Sequence, residues 1–185
     1  MLDDVMADAG DRMETSLEVL QRDLGAIRTG RASPALVERM MIDYYGTPTS
    51  LNQLAGISAP EARLLVIQPW DRGSMQAIER SILHSDLGLT PNSDGIVIRL
   101  EIPTLTEERR IELVRLVRAK VEDAKVAVRN IRRDAIDSSK ELLSEKMISE
   151  DEERRAETNI QELTNKYVEK ADEVGKVKEE EILEF

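Results

Sequence analysis

Arginine is the residue type whose placement in this 185-residue chain suggests chemistry. Positions 109 to 133 carry Arg109, Arg110, Arg115, Arg118, Arg129, Arg132 and Arg133, with Lys120 and Lys125 among them. On a helix turning 100° per residue, Arg118, Lys125, Arg129 and Arg132 fall within about 60° of one another, with Arg115 and Arg133 on one flank and Arg110 on the other. Guanidinium groups gathered this closely repel one another until an anion arrives, and their planar forks match phosphate oxygens. The ordinary alternative is pairing with acids one turn away, Glu122 with Arg118 and Asp134 with the neighbouring Arg face. Against it, Arg129, Arg132 and Arg133 fall within five residues, and the acid nearest them, Asp134, follows the group. A polyanion is the better-supported partner, and Arg28 and Arg31 extend the same face if the helices fold antiparallel. Only 3% of residues are aromatic, which argues against base stacking and favours structured RNA held by its backbone.

Other chemistries find little support. Cys is absent and His84 is the single His, so thiolate nucleophiles, His clusters and Cys-based metal sites are excluded. His84 is expected to be structural or on the surface. No nucleophile elbow, Walker loop or dinucleotide fingerprint occurs. The acidic run Glu150 to Glu153 reads as helix capping, and Glu179 to Glu181 as a solvated helix end. Trp70 could offer a stacking platform, but a lone Trp at a strand end more often packs in a small core. No enzymatic activity, metal or cofactor is expected.

The Arg stripe needs a helix to carry it. Thr106 can cap a helix whose first turn bears Glu107 and Glu108. Apolar residues then keep helical period through Val114, Val117, Val121, Val128, Ile131 and Ala135, predicting a helix from Thr106 to about Lys146. Before it, Met13, Leu17, Leu20, Leu24 and Ile27 form the seam of a helix over Val5–Ile27. After it, Ser149 and Glu152 form a capping box, followed by the seam Ala156, Ile160, Leu163, Tyr167, Ala171 and Val174. Three such helices predict an elongated antiparallel three-helix bundle, a dimerising coiled coil being the alternative.

Between the first two helices the texture changes. Residues 31–104 hold all 6 prolines. Leu36–Tyr45, Arg63–Gln68 and Ile96–Ile102 read as strands, and Ser74–Ser85 as a short helix with an N-cap. A small β/α/β domain over 31–104 is therefore inserted into a bundle formed by 1–30 and 105–185, an α+β fold joined by two linkers that together can act as a hinge. Charge follows the same division. Residues 105–135 hold 9 basic and 6 acidic side chains, whereas 136–185 hold 8 and 16, within a formal net charge of −11. Apolar runs are too short for a membrane helix, and the acidic N-terminus lacks the features of an export signal, so a cytoplasmic protein is expected. A coiled-coil adaptor that binds proteins through its acidic face remains the competing reading; it should tolerate neutralisation of the Arg stripe.

Five stretches are familiar together: Ile27-Arg28-Thr29-Gly30-Arg31-Ala32-Ser33-Pro34, Tyr44-Tyr45-Gly46-Thr47-Pro48, Ser85-Asp86-Leu87-Gly88-Leu89-Thr90-Pro91-Asn92, Leu105-Thr106-Glu107-Glu108-Arg109-Arg110 and Val126-Ala127-Val128-Arg129-Asn130-Ile131-Arg132-Arg133-Asp134. In order and spacing they closely resemble the bacterial ribosome recycling factors, from about residue 5 to the C-terminus. Ile136 departs from the polar residue many members carry there. The resemblance implies an L-shaped, tRNA-like molecule that acts as a monomer on the large ribosomal subunit of the post-termination complex. With elongation factor G and GTP, such a factor splits the ribosome so that messenger and deacylated transfer RNA leave. It also implies ribosomal RNA contacts at Arg28, Arg110, Arg129 and Arg132, beside Arg133 of the stripe. A hinge is implied at Gly30, Arg31, Ala32, Ser33 and Pro34 on one linker and at Thr104 and Leu105 on the other.

Overall fold

The computed structural model describes residues 1–184; Phe185, the last residue of the expected bundle, lies outside them. In chain order the elements are α1 (Leu2–Gly25), β1 (Met41–Tyr44), β2 (Thr47–Ser50), β3 (Ala55–Glu61), β4 (Leu64–Pro69), α2 (Met75–Leu83), β5 (Pro91–Ser93), β6 (Ile98–Glu101), α3 (Glu107–Ser144) and α4 (Glu150–Glu184). Backbone packing divides the chain into two compact units. One comprises Met1–Leu24 and Val114–Glu180; the other comprises Gly25–Leu113 and the chain from Glu181 onward.

The first unit is a bundle of α1, α3 and α4. Its interior is the expected seam: Met13, Leu17 and Leu20 of α1, Val117, Val128 and Ile131 of α3, and Ala156, Ile160 and Ala171 of α4 are all buried. Both predicted caps form. The Arg109 amide donates to the Thr106 hydroxyl at 3.2 Å; the Glu152 amide donates to the Ser149 hydroxyl at 3.3 Å, and Ser149 returns its own amide to the Glu152 carboxylate at 2.8 Å. A ladder of polar pairs fixes the direction of α4 against α3. Arg118 meets Glu179, Lys125 meets Asp172, Arg132 meets Gln161 and Lys140 meets Glu157, numbers rising on one helix as they fall on the other. At Gly175 these two helices pack tightly: a Cβ there would lie 2.5 Å from a Val121 methyl. Helix α1 stops at Gly25, short of the expected Ile27, so Arg28 belongs to the segment beyond it.

In the second unit β1 and β2 form a hairpin, and β3, β4, β5 and β6 form an antiparallel sheet in the order β3-β4-β6-β5. Leu65, Ile67, Ile98 and Leu100 alternate inward from β4 and β6 and pack on Ile78 and Ile82 of α2. The expected strand over Leu36–Tyr45 is shorter, because Pro34–Leu36 forms a 3-10 turn capped by Ser33. The hairpin bend lies at Tyr45-Gly46, both with positive φ (49° and 84°), so Thr47 and Pro48 belong to a strand. The N-cap expected of Ser74 does not form. Its hydroxyl donates to the Asp71 carbonyl at 2.6 Å, and the Asp71 carboxylate accepts the Gly73 amide at 2.8 Å, one 3-10 turn earlier.

The segments that enter and leave the strand-bearing region meet at one place. The Ala32 amide donates to the Ala62 carbonyl at 2.7 Å and the Ile102 amide to the Arg63 carbonyl at 2.8 Å. Arg63 Nε returns to the Ile102 carbonyl at 2.9 Å. The β3–β4 turn thus holds both segments side by side.

Candidate RNA interface

Helical period put Arg118, Lys125, Arg129 and Arg132 on one arc of α3, but the structure divides that arc. Arg118 faces α4 and its guanidinium donates to both oxygens of Glu179 at 2.9 and 3.3 Å. This pairing raises the Arg118 pKa through the hydrogen bond first and the opposite charge second. Lys125 is held by Asp172 and Glu122, and its pKa is likewise raised, chiefly by the bond to Asp172. Both cations are engaged by acids, and the local pair expected between Glu122 and Arg118 is replaced by one across helices. The signal was present in the chain: Arg118, Lys125 and Arg132 recur every seven residues, as do Asp172 and Glu179, the spacing of positions that flank a helix–helix seam.

The remaining arginines differ. Arg129 and Arg133 are exposed and make no ion pair among the described residues. Asp134, the acid nearest them in sequence, pairs instead with Arg12 of α1 at 3.0 Å. Arg132 donates Nη1 to Gln161 at 2.8 Å, while its Nε is buried with no acceptor. All three side chains belong to the bundle unit.

A second basic group lies in the other unit. Arg28 Nη1 and Arg110 Nε are also buried without an acceptor among the described residues. Burial lowers the Arg28 pKa, and the nearby Arg109 charge lowers it further. A buried donor left unmatched costs about 1–3 kcal/mol, more when charged, so these nitrogens are paired less well than those of Arg118, which spacing alone does not show. In the expected hinge, Gly30 has φ 81°, Ala32 and Leu105 are buried, and Thr104 is exposed.

The other sequence candidates separate as well. His84 is exposed at the end of α2. Trp70, expected in the core, is 70% exposed, because its neighbour Pro69 takes the inward position at the end of β4. In the run Glu150 to Glu153, Glu152 caps α4 but Glu153 turns inward, 8% exposed, with one carboxylate oxygen lacking a donor. Among the described residues no cluster of acids or His is arranged to hold a metal, and no helix is long and apolar enough to cross a membrane.

Comparisons with known proteins point the same way. The family model described as ribosome recycling factor matches residues 20–183. The ribosome-recycling factor of Thermomicrobium roseum is 57% identical over 185 residues, covering 100% of both chains. That of Carboxydothermus hydrogenoformans is 55% identical over 183 residues, covering 99% of each. The solution structure of a ribosome recycling factor superposes with a TM-score of 0.80 at 42% identity, covering 100% of this chain and 98% of that one. A Thermus thermophilus factor, described with Escherichia coli elongation factor G on the E. coli post-termination complex, gives 0.71 at 48% identity over 99% of both chains. With its bundle, its strand-bearing unit and a sequence match along the whole length, this chain belongs to the ribosome recycling factor family.

Proposed function

We propose that this chain docks on ribosomal RNA of the large subunit through Arg28, Arg110, Arg129, Arg132 and Arg133 and, with elongation factor G and GTP, splits post-termination ribosomes so that messenger and deacylated transfer RNA leave. The observation that carries the docking assignment is the state of these five side chains. Arg129 and Arg133 are exposed and Arg28, Arg110 and Arg132 half-buried, and the last three each keep a guanidinium nitrogen without an acceptor among the described residues. The acidic remainder of the bundle is repelled by RNA and so orients the approach.

In this reading residues 1–30 and 105–185 act as the anchor and 31–104 as a lever. The hinge comprises Gly30, Arg31, Ala32, Ser33, Pro34, Thr104 and Leu105. Within it the bonds of Ala32 and Ile102 to the β3–β4 turn concentrate bending at Gly30-Arg31 and Pro103-Thr104-Leu105. The chain breaks no covalent bond itself; GTP hydrolysis belongs to its partner. It works as a cytoplasmic monomer.

Light scattering of post-termination ribosomes mixed with the chain, elongation factor G and GTP, singly and together, tests the proposal. Loss of scattering only with all three is expected. No loss despite normal binding to large subunits refutes the splitting role and favours the adaptor alternative.

A further inference from the structure

The RNA-facing arginines leave one distinctive surface unused. Of the chain's five aromatic residues, three meet around Asp71 in the strand-bearing unit. Tyr44 and Tyr45 stack edge to face with ring centroids 4.6 Å apart, and both hydroxyls donate to the same Asp71 oxygen, at 3.1 and 3.2 Å. Trp70 adjoins Asp71 in sequence. Tyr45 and Trp70 are 76% and 70% exposed, the highest values among the large apolar residues described.

The fold carries a cost to present them. Tyr45 occupies a left-handed position, φ 49°, which Asn or Gly would fill with less strain. A Cβ at Gly73 would lie 2.8 Å from the Tyr45 hydroxyl and would displace it from Asp71. A strained tyrosine, pinned at its hydroxyl yet open to solvent, brings the fold little buried area in return. Such local conflicts are features of functional surfaces, and a side chain already fixed loses little freedom on binding.

Charge decides the kind of partner. Base-stacking platforms need cations beside the rings to hold the phosphates. Here the Asp71 carboxylate holds both tyrosine hydroxyls and the exposed Asp43 lies two residues before Tyr45, with the exposed Arg72 following Asp71. The Asp71 carboxyl is held below its ordinary pKa, first by the Gly73 amide and next by Tyr44, so its charge persists. Aromatic faces beside carboxylates attract ammonium and guanidinium groups, and Tyr and Trp are the residues that dominate protein–protein contact energies. We propose that Tyr45, Trp70 and Asp43 form a docking site for a protein surface that presents Lys or Arg side chains. None of these three residues belongs to the arginine set proposed to contact RNA.

Replacing Trp70 with the photoreactive benzoylphenylalanine in the full chain tests this on post-termination ribosomes with elongation factor G and GTP. After irradiation the main adduct is expected on protein, in a peptide bearing Lys or Arg. Asp43→Asn keeps the acceptor that receives the Gly46 amide while removing the charge, and should cut the adduct about fivefold. Tyr45→Asn, which suits the left-handed backbone, combined with Trp70→Ser should leave affinity for isolated large subunits within about twofold of the unmodified chain, because the RNA contacts remain. An adduct mainly on ribosomal RNA, no adduct, or a yield indifferent to Asp43→Asn overturns the assignment. Failure of the unmodified chain to split ribosomes would instead defeat the recycling role, which the adduct does not measure.

Discussion

Arg129 and Arg118 lie eleven residues apart on α3, about three helical turns, and point within roughly 20° of each other, yet the structure assigns them opposite fates. Arg129→Ala removes an exposed cation with no partner; Arg118→Ala removes one already neutralised by Glu179. Five phosphate contacts predict a slope of log affinity against log salt of about −3.5 to −4.5, taking roughly 0.7 to 0.9 per contact. Between 50 and 200 mM salt, affinity for large subunits should then fall about 130- to 500-fold for the unmodified chain and only about 50- to 150-fold for Arg129→Ala. Arg118→Ala should keep the unmodified slope and lose little stability, because exposed ion pairs contribute little. Arg129→Ala should leave stability within about 0.5 kcal/mol. Fluorescence anisotropy of labelled chain against large subunits, over a salt series, measures the slopes, and urea unfolding measures stability. Equal slopes for the two variants, or a slope unchanged by Arg129→Ala, would show that pairing across the helix seam does not determine which arginines meet RNA.

Three other expectations concern the fold. Gly175→Ala gains about 1 kcal/mol in helix propensity but drives a methyl into Val121, where overpacking costs about 1–3 kcal/mol; urea midpoints should show net destabilisation that reverses in the Val121→Ala background. The Glu153 pKa is raised, by burial first and then by Glu157, so the folded chain retains a proton that the unfolded chain releases, and stability drops as pH climbs above the ordinary carboxylate range. Glu153→Gln should flatten that decline in a series of melting temperatures, and an undiminished decline would contradict the inward carboxylate. Asp94 is held down to about 2, first by the Val97 and Ile96 amides and then by Arg99. The stability it contributes is present above about pH 4 and fades towards pH 2, so Asp94→Ala should be less acid-sensitive across that window by circular dichroism.

The helices were legible because their signals are local. Capping residues sit within three positions of the amides they bind, and one apolar stripe per helix states which face is buried. The strands were harder. Residues 55–61, Ala-Gly-Ile-Ser-Ala-Pro-Glu, carry neither alternation nor β-branched bias, and β3 exists because β4 supplies its hydrogen bonds. Trp70 escaped for a related reason: which end residue of β4 faces inward depends on sheet register, and Pro69 takes that position. The arginines were legible as a group but not as individuals. Whether a guanidinium on α3 meets Glu179 or solvent depends on a residue about sixty positions away. The orphaned nitrogens of Arg28, Arg110 and Arg132 depend on packing that no short window of sequence records.

The clasp at the β3–β4 turn also bears on how a discontinuous domain can form at all. Closing a flexible loop costs about (3/2)RT ln n, so holding α1 and α3 together across an unstructured stretch of some 70 residues would be about 2.5 kcal/mol harder than across four. Ala32 and Ile102 bond to adjacent residues, Ala62 and Arg63, so once the strand-bearing region has folded, its two ends emerge as neighbours. To the helices, the long insertion then behaves as a short loop. Once that region has folded, the entropy of joining the helices is met within it, by its own hydrogen bonds and core.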